Sequence, residues 1–466
     1  MTQQIRTSAA FRETISAGLA SIREQFQVPG EFPADVLAEA RAAAARPLPT
    51  DRPDRTDLPF VTLDPASSTD LDQAFALSID GDSLVLDYAI ADVGWFVAPG
   101  SALDQEAWRR GVTVYLPDGK AGLYPRELAE GAASLLPDGP RPSVLLTVVV
   151  DPSGAASLRS AERVLVRSRQ KLGYETVTDG QLPELLGEFA RRMTADEDRR
   201  GASRVEFPEQ EVEPDPAKSG TYRLEIRARR ASEDQNATMS LAANLAVAGV
   251  LYAAGTGLFR TMAGADDHDV EVLRRTARAL GLDWAPATGL AEFQRSLAPG
   301  PRTSAFLLAV RRAGGGAGYE SFRAGVRPWH DAVAATYAHA TAPLRRLADR
   351  YVLEAACAVH AGIAVPAWVT DAFTQLPDAM QRADSRASKV DRAVVDLVEA
   401  ATLAGHEGEV FDAVIIDIDE RGARIQLTEP AVVARLEHTT AEPGDVVKVR
   451  LVTADPVARR VEFAAG

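Results

Sequence analysis

The chain has 466 residues, 46% hydrophobic and 25% charged, with a formal net charge of −15. This is the composition of a soluble globular protein of roughly two to four domains, and the negative charge argues against a protein that coats nucleic-acid duplexes. A single cysteine, Cys357, excludes an internal disulfide and a cysteine-built zinc site, and the six histidines show no metal-ligand spacing.

The N-terminus, "MTQQIRTSAAFRETISAG", lacks the apolar run of a signal peptide, so a cytoplasmic location is expected. Residues 1–46 read as a small helical module compatible with a helix-turn-helix, with helices over Ile5–Gln25 and Pro33–Ala45. Proline-rich residues 47–56 read as a linker. A mixed α/β unit over 57–405 follows, strands first and helices later. "QAFALSID" and "SLVLDYAIADV" flank Asp80-Gly81-Asp82, a hairpin signal, and "SVLLTVVVD" with "AERVLVRS" forms a second pair.

Asn236–Phe259 is uncharged and long enough to span a bilayer. It is interrupted by Thr238, Ser240, Asn244 and three glycines and has no aromatic belts, so a helix buried within the domain is expected, with no membrane partner. Residues 406–466 change character again. Five short strand candidates separated by turn residues suit a small OB-type barrel. Acidic residues outnumber basic ones there, so a strong grip on RNA by this barrel alone is not expected.

The chemistry concentrates in "TLDPASSTDLDQAF". Asp70 and Asp72 are two apart and project from one face of an extended backbone. Asp64 ends an apolar run, and Pro65 with small residues can curl the chain back. Buried carboxylates need partners, and three converging would suit a hard divalent cation such as Mg²⁺. A solvated acidic loop is the other reading of the same residues.

This stretch resembles the active-site signature of the ribonuclease II and ribonuclease R exoribonucleases, the RNB family. Further blocks match in the same order: "YAIADVGWFV", "GVTVYLPDGKAGLYPRELAEGAASLLP" and "YAHATAPLRRLADRYV". The terminal strands look like that family's S1 domain. The resemblance implies an RNB-type catalytic domain with a C-terminal S1-type barrel. Its activity would be hydrolytic 3′-to-5′ degradation of single-stranded RNA, or RNA with a 3′ overhang, to nucleoside 5′-monophosphates. A monomer suffices for such a threaded channel.

By position, Asp64, Asp70 and Asp72 match the family's metal-site aspartates, for Mg²⁺ or Mn²⁺, and Asp72 is the indispensable one. Arg345 matches the catalytic arginine. Read locally, it is either a group at the start of a helix opened by Pro343 or a surface arginine paired with Asp349. Tyr115 matches the aromatic that stacks on the terminal base, and Phe207 is a candidate second aromatic.

Four departures stand out. Gln73 replaces a usual aspartate, and Ala237 and Thr238 stand where a glutamate pair is usual. A short helical segment stands in place of cold-shock domains, which leads to the expectation that structured RNA with a 3′ overhang is tolerated. "ERGARIQL" replaces a Gly- and Phe-rich barrel strand. The alternative function is therefore an RNB-like protein, weakened in catalysis, that holds RNA 3′ ends.

Overall fold

The structure, a computed structural model, describes residues 9–203, 209–214, 222–227, 230–298, 300–313, 315–419, 422–428, 430, 432–437, 439 and 441–466. It opens with helices α1 (Ala9–Gln25) and α2 (Ala34–Ala44). The apolar faces of both, Ile15, Leu19 and Ile22 on one and Val36, Ala40 and Ala43 on the other, are buried in the same core as the main body of the chain. The two helices therefore dock separately onto that body and share its hydrophobic stabilisation.

The body is built on a six-stranded sheet. Its strands are β1 (Val61–Asp64), β2 (Gln73–Asp80), β3 (Ser83–Ala91), β6 (Arg141–Val150), β7 (Ala156–Val166) and β8 (Gln170–Gly173), and a small hairpin, β4 (Val114–Leu116) with β5 (Gly119–Ala121), projects beside it. The sheet order is β7-β6-β3-β2-β1-β8, and β1 pairs with β8 in parallel. The Asp80-Gly81-Asp82 turn forms as expected, with Asp80 opposite Ser83 and Gly81 at φ +59, a backbone region that favours glycine.

Helices α3 (Val93–Phe96) and α4 (Ala102–Arg110) lie between β3 and β4, and α5 (Leu186–Arg200) and α6 (Ala231–Ala253) follow β8. The uncharged stretch becomes α6, which is long and apolar enough to cross a membrane. Here it packs on α5, β6 and β7, burying Met239, Ala242, Ala243, Val247 and Leu251. Strands β9 (Glu209–Pro214) and β10 (Tyr222–Arg227) pair as a hairpin.

β11 (Leu258–Thr261) pairs with β12 (Gly318–Ser321), and between them α7 (Asp267–Ala279), α8 (Leu290–Ser296) and α9 (Pro301–Ala313) enclose a separate small core of Leu273, Trp284, Phe293 and Phe306. Two long helices then close the body, α10 (Leu347–His360) and α11 (Ala367–Leu403). The last segment is a closed barrel of β13 (Val410–Asp419), β14 (Gly422–Leu427), β15 (Val433–Leu436), β16 (Val446–Asp455) and β17 (Arg460–Ala465), in the order β13-β14-β15-β17-β16.

Candidate active site

The site begins where β1 ends and β2 begins. Val61 pairs with Phe75, so β1 and β2 run antiparallel, with Asp64 closing β1 and Asp72 standing just before β2. The turn between them is clasped from β8, where the Lys171 ammonium donates to the Ala66 carbonyl at 2.7 Å and also to that of Ser68. The approach to Asp72 is pinned as well. The Leu71 N–H donates to Ser134 Oγ, which itself donates to the Thr69 carbonyl.

A second segment, 341–346, faces these carboxylates. The Leu344 N–H donates to Asp72 Oδ1 at 2.7 Å, and the Arg345 Nε lies 3.5 Å from Asp72 Oδ2. Asp349 is bonded not to Arg345 but to Arg346, through two hydrogen bonds of 2.9 and 2.8 Å. That leaves Arg345 half exposed beside Asp64 and Asp72.

One expectation is corrected here. Helix α10 starts at Leu347, not at Pro343, so Arg345 sits in a turn outside the helix. The reason is pairing across the chain. Val112 bridges Arg346, the Thr113 N–H donates to the Arg345 carbonyl at 3.0 Å, and the Leu347 N–H donates to the Gly111 carbonyl.

The same pairing brings Tyr115 to the site. Its ring lies two residues beyond Thr113 on β4 and is half exposed, and its hydroxyl hydrogen-bonds Asp70. Burial and the neighbouring Asp70 charge push that phenol well above its ordinary pKa. Asp70 also holds the Lys120 ammonium of β5 at 2.8 Å. The candidate Phe207 lies outside the described residues.

Burial dominates the electrostatics. It pushes the Asp64 carboxyl up to about 7, against the pull of Arg345, and the Asp70 charge adds to the rise. It pushes Asp72 up to about 8, although Arg345 and the Leu344 N–H favour its charged form. These carboxylates lack enough positive charge to be comfortable as anions.

Among the described residues, no three carboxylate, histidine or cysteine side chains gather closely enough to form a ready-made metal site. The three aspartates thus reach one region without converging as a triad. Asp70 turns to Lys120 and Tyr115, and Asp72 to Leu344 and Arg345. The donor set is nonetheless all oxygen, buried and short of positive charge, which fits a hard divalent cation.

Two neighbours were not legible in the sequence. Tyr174 follows β8, its N–H donates to the Asp64 carbonyl, and its hydroxyl accepts from the Asn236 amide at 2.6 Å. Lys120 is the second. Neither carries a local signal, because only the β1–β8 pairing and the β4–β5 hairpin bring them in.

Gln73 is turned into the protein. Its amide nitrogen donates to the Thr341 carbonyl at 2.6 Å, and its oxygen accepts from the Tyr88 hydroxyl at 3.0 Å. Both ends are engaged in protein bonds, so Gln73 ties β2 to the arginine segment. Thr238 is likewise turned inward, donating to the Gln235 carbonyl, and offers the site nothing.

Comparison with known proteins agrees with this layout. An RNB domain model matches residues 52–359, and a model of the RNase II-type exonuclease C-terminal S1 domain matches residues 409–466. The chain belongs to the RNB family of exoribonucleases. It is 25% identical to Ribonuclease R of Thermotoga maritima, over 95% of this chain and 69% of that protein.

The fold superposes on Mycoplasma genitalium RNase R, solved with ribose-methylated single-stranded RNA, with a TM-score of 0.87 and 19% identity, covering 97% of this chain and 78% of that one. It also superposes on yeast Ssd1, described as a pseudonuclease, with a TM-score of 0.68 and 16% identity, covering 87% of this chain and 53% of that one. An RNB fold is therefore compatible with either an active or an inactive site, and the residues of this site have to decide.

Proposed function

We propose that this RNB protein is a hydrolytic 3′-to-5′ exoribonuclease acting on single-stranded RNA or on a 3′ overhang, releasing nucleoside 5′-monophosphates. The observation that carries the reading is the joint placement of Asp72 and Arg345. The carboxylate is fixed by a backbone N–H, and the guanidinium beside it is half exposed and free of Asp349. An arginine kept only for packing would be expected to take the neighbouring buried carboxylate, and here Arg346 takes it.

In the reaction, Arg345 meets the negative charge that grows on the scissile phosphate, preorganised by the Thr113 and Gly111 pairing that holds its backbone. Tyr115 stacks on the terminal base, an interaction typically of ~1–3 kcal/mol that does not read sequence. Lys120 holds Asp70 in place. Asp64, Asp70 and Asp72 would hold Mg²⁺ or Mn²⁺, which supplies water activation and Lewis acidity when bound. The stranded carboxyls of Asp64 and Asp72 are the reason the chain gains by binding such an ion.

A 5′-labelled single-stranded RNA incubated with Mg²⁺ tests this. Wild type is expected to leave short 5′ fragments and release 5′-monophosphates, and Asp72→Asn is expected to lower the rate by ~10³-fold or more. RNA that stays intact yet tightly bound would favour the non-cleaving reading. Gln73 gives that rival its footing, since its amide is committed to Tyr88 and Thr341.

A further inference from the structure

Lysine is rare in this chain. Of its 51 Lys and Arg residues five are lysines, leaving 46 arginines, yet two of the five, Lys120 and Lys171, stand against the acidic loop 64–72. Lys171 is spent on backbone, donating to the carbonyls of Ala66 and Ser68. Lys120 meets carboxylates instead. Its ammonium lies 2.8 Å from Asp70 Oδ1 and 3.3 Å from Glu130 Oε1. An arginine would present a planar fork there, whereas an ammonium is a compact point charge, closer in shape to a metal ion.

The β4–β5 hairpin is built to deliver that charge. Tyr115 and Lys120 are directly opposed in its register, so both side chains leave the same face. Both reach Asp70, the phenol through its hydroxyl and the ammonium at Oδ1. The tip is anchored, because Arg23 of α1 grips Asp118 through both guanidinium nitrogens. On the far side of the ammonium, Glu130 sits in the short helical turn Leu128–Ala132, hydrogen-bonded to the Thr69 side chain and paired with Arg126 at 3.1 Å. Lys120 is thus clamped between two carboxylates, with its side chain only 23% exposed.

Charge matching gives the clamp a meaning. A two-metal site sets one ion at the attacking oxygen and one at the leaving oxygen, and such a pair needs a matching stock of carboxylates. Here Gln73 is neutral where an aspartate is usual. Asp64, Asp70 and Asp72 supply three negative charges and Lys120 returns one, so the deficit is that of a single divalent ion. Glu130 is balanced by Arg126, and Arg345 faces the phosphate. The geometry agrees, since Asp70 turns to the hairpin rather than converging with the other two aspartates.

We propose that Lys120 is a resident cation of this site: its ammonium stands at Asp70 in place of one of two metal ions, and the chain uses a single divalent ion. Lys120 acts through Asp70 and is a positioning residue, drawn from outside the aspartate motif. The inference rests on the exoribonuclease reading and deepens it.

The test counts ions. Mn²⁺ is titrated into the full-length protein and the free ion is read by its electron paramagnetic resonance signal, with cleavage of a 5′-labelled RNA followed in parallel. Ions bound elsewhere on this acidic surface are subtracted with the triple variant Asp64→Asn, Asp70→Asn, Asp72→Asn. Wild type is expected to hold about one Mn²⁺ at the seam, and Lys120→Met about two, the number of a two-metal site. Lys120→Gln can still donate to Asp70 but carries no charge, and it should also hold about two. Lys120→Arg keeps a cation and should stay at about one.

Two ions in wild type overturn the proposal whatever the variants do, and leave the exoribonuclease reading intact. So does an unchanged count in Lys120→Gln, which would make Lys120 a pin of the hairpin and nothing more; a lowered melting temperature alone is what such a pin predicts. A wild type with no Mn²⁺ at the seam overturns the proposal too, and if its RNA also stays intact the exoribonuclease reading falls with it.

Discussion

The seam between β1 and β2 and the C-terminal barrel are both β-frameworks, yet they do opposite things with their polar groups. At the seam, polar groups are drawn inward and matched to partners far away in sequence: Asp72 to Leu344, Asp70 to Lys120, Gln73 to Thr341. In the barrel, the inward positions are apolar, Ile415, Ile425, Leu436, Leu451 and Phe463, and the charged pairs lie in solvent, as in Lys448 with Asp412. The barrel is a folded surface, and the seam is where folding energy is given up to hold charge. Polar groups that cost stability to bury are the ones to test for chemistry.

The sharpest break of that contrast separates two adjacent arginines. Arg345→Ala is expected to lower turnover ~10²–10³-fold, as removal of one preorganised charge does, with little change in thermal stability. Arg346→Ala strands the fully buried Asp349 and is expected to cost about 3–5 kcal/mol of stability. Single-turnover kinetics and denaturant melts, run on both variants, read the two effects. If Arg345→Ala unfolds the protein as readily as Arg346→Ala, the assignment of Arg345 to chemistry fails.

The second prediction uses the seam's stranded carboxyls. Asp64 and Asp72 hold their protons up to about 7 and about 8 in the folded chain, against an ordinary value of 3.8. Between these values the folded state binds more protons than the unfolded state, so stability falls as pH rises through that interval. With chelator present, the melting temperature should therefore drop between about pH 5 and about pH 8.5. Added Mg²⁺ should restore it, and more so at the higher pH, because the ion takes the deprotonated carboxylates. Calorimetry that shows no such drop would mean the seam is better neutralised than its geometry indicates.

The balance between what could and could not be read from the sequence follows the same division. The hairpin at Gly81 and the five barrel strands announce themselves locally, through turn chemistry and short alternating runs, and they form where the sequence places them. Asp72 and Arg345 were legible as residues because they stand in motifs, but their adjacency was not, since it depends on 111–113 pairing with 345–347. The same pairing is why Pro343 does not open the helix as its type suggests. Gln73 was legible only as a missing charge. Its amide bonds to Tyr88 and Thr341 show a bridge between strand and loop, a role that no residue type declares by itself.

That bridge yields a prediction of intermediate size. In Gln73→Asp, a shorter carboxylate replaces the amide that donates to the Thr341 carbonyl, so a donor is lost and a charge faces an acceptor. Without divalent cation, a destabilisation of about 1–3 kcal/mol is expected from the group left unpaired. A Gln73→Asp protein that melts like wild type in chelator would show that the amide bridge holds nothing in place.

The smallest effects should come from the faces that the seam and the barrel present to RNA. Tyr115 is half exposed on a strand fixed to the arginine segment, so Tyr115→Ala should weaken binding of a short RNA by ~1–3 kcal/mol, the usual loss for one base stack. Tyr115→Phe keeps the ring and loses only the hydroxyl bond to Asp70, so it should recover most of that affinity. On the barrel, Phe411 and Phe463 are spent on each other, edge to face at 6.0 Å. Substituting Lys448, paired with Asp412 in solvent, should change short-RNA affinity and stability by well under ~1 kcal/mol. Titrations of one short RNA against the three variants put them on one scale. A Lys448→Ala effect as large as that of Tyr115→Ala would move RNA recognition from the seam to the barrel.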